Sequence, residues 1–391
     1  MNWNEKTAAN VKAIKPSGIR KFFDIAAQVK GVLSLSIGEP DFAAPDKVLA
    51  AMKASLDAKE TSYTGNSGMM ELREAISQHF EKRYGVHYDP KDEILVTVGV
   101  SEGLAMALLA ITEPGDEVII PDPAYVAYPA SVELAGGTPV FVPTYPEHDF
   151  KLTVEALEKV ITPKTKAIVI GYPNNPTGTV MSAEELMPIA KFAEEHDLIV
   201  LSDEIYCELM YGDAKFTSFA KLPGMRERTV IFNGFSKAYA MTGMRLGYVC
   251  APRDGLAPIL KLHQYAIMCA NTTAQVGGIT ALKECDDDVE AMRQEYDRRR
   301  KVIYKGLCDM GLPVFEPKGA FYIFPDIRCT GMTSAEFCEK LVQEEKVAVV
   351  PGTAFGDQGE GFVRISYAAS MDTIQEALKR MARFVAKYRK S

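Results

Sequence analysis

The chain has 391 residues, 47% of them apolar and 25% charged. These are ordinary proportions for a soluble globular protein, and the length predicts one large domain plus a smaller one. Forty-four Lys and Arg against 52 Asp and Glu leave a net charge of −8 without a basic block, which argues against nucleic acid as a main partner; no apolar run approaches the roughly 18 residues that span a bilayer.

In chain order, Ile94-Leu-Val-Thr-Val98 predicts a buried strand, followed by a short turn and a helix over Leu104–Ile111. Glu117–Ile120, Pro139–Val142 and Lys166–Ile170 are further strands. A Pro/Asn/Gly loop comes next, then Ser182-Ala-Glu-Glu185, which has the spacing of a capping box. Pro188 removes a helical hydrogen bond, so this helix is expected to start later than the box. Leu198–Leu201 and Thr229–Phe232 are again strands. Continuous apolar strands separated by helices predict a mostly parallel sheet sandwiched by helices, an α/β fold. From about residue 286 the character changes. Arg298-Arg-Arg-Lys301 is expected to begin a charged helix, Ala320–Phe324 and Val347–Val350 to form short strands, and 371–389 a closing amphipathic helix. The expected division is a large domain over 46–285, and a smaller α+β domain from 1–45 with 286–391.

The seven cysteines are an odd count, widely spaced and without CxxC, which fits reduced thiols in a cytoplasmic protein. The five histidines show no HExxH spacing, so no metal is expected. Met1-Asn-Trp-Asn-Glu-Lys6 has no apolar h-region, so no signal peptide and no membrane attachment are expected.

In parallel sheets, ligands bind beyond the carboxyl ends of the strands. Gly99-Val-Ser-Glu-Gly103 joins a strand to a helix, where free N–H groups can cradle a phosphate, although many such turns bind nothing. Asp203 ends an apolar strand. A buried carboxylate there needs a cationic partner, but the residue alone equally suits a cap. Tyr206 lies one turn on and alone suits packing. Lys237, after Asn233-Gly-Phe-Ser236, is either a desolvated nucleophile or a surface lysine. Arg245 suits a phosphate or an ion pair. Tyr172-Pro-Asn-Asn-Pro-Thr-Gly178 is a rigid turn. Arg364, in Gly361-Phe-Val-Arg-Ile-Ser-Tyr367, can grip a carboxylate bidentately or serve a structural salt bridge.

Singly these signals are modest; their order is specific. Pro173-Asn-Asn-Pro-Thr-Gly178, Ser202-Asp-Glu-Ile-Tyr206, Ser236-Lys237, Arg245 and Arg364 resemble the fold-type-I aminotransferases of the aspartate aminotransferase family, class I/II. Ser36-Ile-Gly-Glu-Pro-Asp-Phe42, Tyr63 and Val350-Pro-Gly-Thr353 extend the resemblance almost end to end. It implies a pyridoxal 5′-phosphate enzyme that moves an amino group between an amino acid and a 2-oxo acid by a ping-pong route. Lys237 would form the internal Schiff base, Asp203 would pair with the pyridine nitrogen, and Tyr206 and Asn175 would bond the phenolic oxygen. Tyr125 would stack on the ring. The backbone at Val100, Ser101 and Glu102, with Ser236 and Arg245, would hold the phosphate. Tyr63 would reach the phosphate of a neighbouring subunit, which implies a homodimer. Arg364, Asn175, Tyr125 and the backbone of Gly38 would bind the substrate.

Three positions depart from parts of that family: Gly234 where some members carry Ser, Tyr125 where many aspartate-specific relatives carry Trp, and Ser101 where one aspartate-type subgroup is basic. Ile14, Ile19 and Ile37 are expected to line an apolar side-chain pocket that favours aromatic or aliphatic amino acids, while Lys15 or Arg20 would serve an acidic one. The alternative activity is a carbon–sulfur β-lyase on the same fold and cofactor. A NAD enzyme is disfavoured because no GxGxxG follows a strand.

Overall fold

The computed structural model describes residues 1–14, Gly18 and 29–390. In chain order its strands are β1 (Leu33–Ser34), β2 (Ile94–Thr97), β3 (Glu117–Asp122), β4 (Thr138–Pro143), β5 (Thr165–Ile170), β6 (Ile199–Asp203), β7 (Thr229–Gly234), β8 (Gly247–Cys250), β9 (Tyr322–Ile323), β10 (Val347–Ala348), β11 (Val350–Pro351) and β12 (Val363–Ser366). Seven of them form one sheet in the order β2-β8-β7-β6-β5-β3-β4. β8 alone runs antiparallel to its neighbours β2 and β7; the other pairings are parallel. The expected mostly parallel α/β sheet is therefore present.

The apolar runs are continuous because both faces are covered. Along each strand successive side chains point to opposite sides. Val118, Ile120, Ala167, Val169, Leu201, Val230 and Phe232 pack in one cluster with Leu104 and Leu108 of the helix Gly99–Ile111. Ile119, Ile168, Ile170 and Val200 pack on the other side with Leu186, Ile189 and Phe192 of the helix Ala183–Glu195. That helix begins at its capping box, with Pro188 inside it, contrary to the later start expected. Glu184, whose carbonyl loses its partner to Pro188, and Pro188 itself both lie on the exposed side, where water can serve that carbonyl.

The chain after residue 285 builds a second layer. β11, β12 and β9 form an antiparallel sheet, and β1 pairs in parallel with β10. The run 347–350 thus divides between two sheets, one residue apart. The charged helix spans Asp286–Asp309, so Arg298 lies in its middle and not at its start. Three aspartates, Asp286, Asp287 and Asp288, open it and favour its N-terminus. Phe337, Phe384, Phe321 and Ile365 form the core of this layer, and Tyr206, Leu209 and Tyr211 enter it from the segment after β6.

Candidate active site

The carboxyl ends of β2, β3, β5, β6 and β7 converge on a cleft of about 490 Å³. Its lining includes Val100, Ser101, Tyr125, Asn175, Asp203, Tyr206, Ser236, Lys237 and Arg245 from the large sheet, Gly38 from the N-terminal segment, and Arg364 from β12. Residues spread from 38 to 364 are thus brought together, all of them named by the sequence.

Lys237 Nζ donates to the carbonyl of Gly38 at 2.7 Å. Burial, then the nearby Arg364 charge, lowers its pKa from the ordinary 10.5 to about 8. Asp203 closes β6. Its Oδ2 accepts from the Tyr128 hydroxyl at 2.8 Å and its Oδ1 from the Ile205 N–H at 3.2 Å. Burial nevertheless outweighs these bonds and the Lys237 charge, and pushes the carboxyl above its usual range. A cation set against Asp203 would reverse that shift. Tyr206 shares a 2.8 Å hydrogen bond with the Tyr322 hydroxyl, and burial pushes its phenol well above the ordinary value, so it stays neutral.

Arg364 is 2% exposed. Its guanidinium donates to Asn175 Oδ1 at 3.1 Å and to the Ser36 carbonyl at 2.5 Å, and Nε has no partner. It lies between the rings of Tyr322 and Phe355, 4.6 and 4.9 Å from their centres. Burial lowers its pKa, and no carboxylate answers its charge among the described residues. A buried guanidinium that lines a cleft without a carboxylate partner is suited to a carboxylate ligand.

At the other end of the cleft, Gly99 opens its helix at φ 76°. A Cβ there would come within 2.6 Å of Arg245 Nη2, so glycine is required for the arginine to lie against the helix start. The N–H groups of Gly99, Val100 and Ser101 have no helical acceptor. With Ser236 and Arg245 they are suited to hold an anion. The Glu102 side chain turns away from the cleft. It does not line the cleft, because its carboxylate accepts from the Val98 N–H at 2.6 Å and meets His263 Nδ1 at 2.7 Å. Tyr63 is also outside the cleft and 82% exposed. Ile14 and Ile37 do not line it either, and Lys15, Ile19 and Arg20 lie outside the described residues.

The chain matches the model of the family described as aminotransferase class I and II over residues 30–381. It belongs to that family. It is 53% identical to a protein named putative aminotransferase YugH of Bacillus subtilis, over 96% of this chain and 97% of the relative. It is 51% identical to an aspartate aminotransferase of Pyrococcus abyssi, over 94% and 95%. A solved aromatic aminotransferase of Pyrococcus horikoshii superposes with a TM-score of 0.90 at 49% identity, covering 94% of this chain and 99% of that one. The chain is a pyridoxal-phosphate-dependent transaminase. The residues suit this cofactor: an anion cradle, a carboxyl lacking a cation, a near-neutral lysine and an unspent guanidinium share one cleft.

Two residues of the aminotransferase cleft escaped sequence reasoning. Tyr128 follows Tyr125 by three positions, a spacing that returns it to the same side of a helical turn, and its hydroxyl donates to Asp203 Oδ2. Tyr322 sits in a run that reads only as a core strand; its partner Tyr206 is 116 residues away.

Proposed function

We propose that this transaminase works through a cleft in which Lys237 carries the chemistry, Asp203 sets the electronics and Arg364 selects an α-carboxylate. When bound, pyridoxal phosphate supplies an aldehyde that takes up the amino group and a ring that accepts the electron pair left at Cα. The near-neutral Lys237 Nζ attaches the cofactor and, once displaced by the substrate amine, takes the proton from substrate Cα and returns it at C4′ of the cofactor. Asp203, held by Tyr128, would keep a proton on the ring nitrogen. Tyr206 and Asn175 would hydrogen-bond the phenolic oxygen, and Tyr125 would cover the ring. Val100, Ser101, Ser236 and Arg245, with the backbone of Glu102, hold the phosphate. Arg364, with Asn175 and the N–H of Gly38, fixes the substrate so that its Cα proton faces Lys237. Hydrolysis by water would then release the oxo acid and leave the amino group behind, and a second oxo acid would run the sequence backwards in a ping-pong cycle.

The observation that carries this reading is the Arg364 guanidinium, buried without a carboxylate and facing the same cleft as Lys237. Arg364→Ala is expected to raise the KM for the amino acid roughly 100-fold while cofactor affinity stays unchanged. An unaltered KM would remove Arg364 from substrate binding.

A homodimer, with Tyr63 completing the phosphate site of the partner, is the assembly we propose. Its support is the exposure of Tyr63, Tyr265, Ile267 and Met268, on two segments joined where the Asn66 amide donates to the Met268 carbonyl at 2.8 Å. No helix among the described residues is long and apolar enough to cross a membrane. The seven cysteines are free thiols, which supports a reducing, cytoplasmic location.

A further inference from the structure

We propose that Asp122 is a positioning residue for the substrate site: its carboxyl clamps the loop 352–359 to the end of β3 and so fixes Phe355 against Arg364. This rests on the reading of Arg364 as the carboxylate receptor and of Tyr125 as the cofactor-stacking residue.

Asp122 is the last residue of β3 and only 5% exposed. Its Oδ2 accepts from the N–H groups of Asp357 at 3.1 Å and Gln358 at 3.4 Å. Two residues on, the Ala124 N–H donates to the Phe355 carbonyl at 2.9 Å. Three hydrogen bonds therefore tie the strand end to one loop, 235 residues away in the case of Asp357. The strand end leads directly into Tyr125. The loop joins β11 to β12, the strand that carries Arg364, and its Phe355 ring lies 4.9 Å from the guanidinium. The clamp thus couples the residue on the cofactor face to the residue that receives the substrate.

The fit is close from both sides. Gly356 sits at φ 134°, and a Cβ on it would fall 1.9 Å from Asp122 Oδ1. Oδ1 is buried without a hydrogen-bond partner, and burial pushes the carboxyl up to about 6. A buried carboxyl with one oxygen unserved is costly where only a strand end has to be tied down. Placing the loop and its ring is a task that accounts for it.

The test uses steady-state kinetics of the holoenzyme and approaches the clamp from opposite sides. Asp122→Ala and Gly356→Ala are each expected to raise the KM for the amino acid about tenfold, the effect of about 1.4 kcal/mol of lost binding. Both should leave kcat within about twofold and cofactor affinity unchanged. Asp122→Asn, which keeps an acceptor oxygen, is expected to restore most of the KM. The double variant should be no worse than the poorer single, because the two act on one contact. If Asp122→Ala does not fold, Gly356→Ala carries the same test. An unchanged KM in Gly356→Ala, or a parallel fall in kcat and cofactor affinity, would overturn the proposal. Arg364→Ala is measured alongside: if it raises KM while the clamp variants do not, only the clamp fails; if it does not, the reading of Arg364 fails first.

Discussion

At the scale of single residues, the chemistry depends on what burial does to two charges. Asp203 lies buried at the end of β6, and burial makes its ionised form expensive. A protonated ring nitrogen opposite it would relieve that cost. At an effective dielectric near 20, an ion pair about 4 Å apart is worth roughly 4 kcal/mol. At about 1.4 kcal/mol per pKa unit this raises the nitrogen by about three units before desolvation is subtracted. Asp203→Asn keeps the shape and removes the charge. It is expected to fold and bind cofactor while kcat falls at least about 100-fold, measured on the purified variant; comparable turnover would refute the role. Lys237 is the converse case, a base whose neutral form is favoured by burial. Only the neutral amine attacks an aldehyde. The rate at which cofactor-free enzyme takes up pyridoxal phosphate should therefore rise about tenfold per pH unit and level off near pH 8, where half of Lys237 is neutral. A rise continuing to pH 10 would mean that the lysine is not desolvated.

At the scale of elements, legibility followed the range of the interaction. Six of the seven strands of the large sheet, all but β8, were readable from apolar runs, most of them covered on both faces. The helix over 183–195 was readable from its capping box, which outweighed Pro188 because the affected turn faces solvent. β8 has no turn signal that marks it as the antiparallel member. Asp203, Lys237 and Arg364 were marked by motif order, whereas Tyr128 and Tyr322 act through hydrogen bonds spanning 75 and 116 residues and carry no local mark. The segments 62–68 and 264–270 present exposed tyrosines and methionine although their backbones are ordered against each other. Sedimentation of the purified protein is expected to give a dimer, and Tyr63→Ala to weaken cofactor retention severalfold without dissociating it. A monomer with full activity would contradict the shared site.

For the whole molecule, the site is a seam. The large sheet supplies Lys237, Asp203 and the phosphate cradle, and the three-stranded sheet supplies Arg364 and Tyr322. The two layers meet directly, because Arg364 of the three-stranded sheet donates to Asn175 Oδ1 beyond the large sheet at 3.1 Å. Both converge on one amine, which neither a cradle nor a carboxylate receptor can replace. The most direct measurement is reduction of the pyridoxal phosphate holoenzyme with borohydride, followed by digestion and mapping of the modified peptide. The account predicts a single pyridoxyl group on Lys237. A group on any other lysine, or none on an enzyme that turns over, would contradict it.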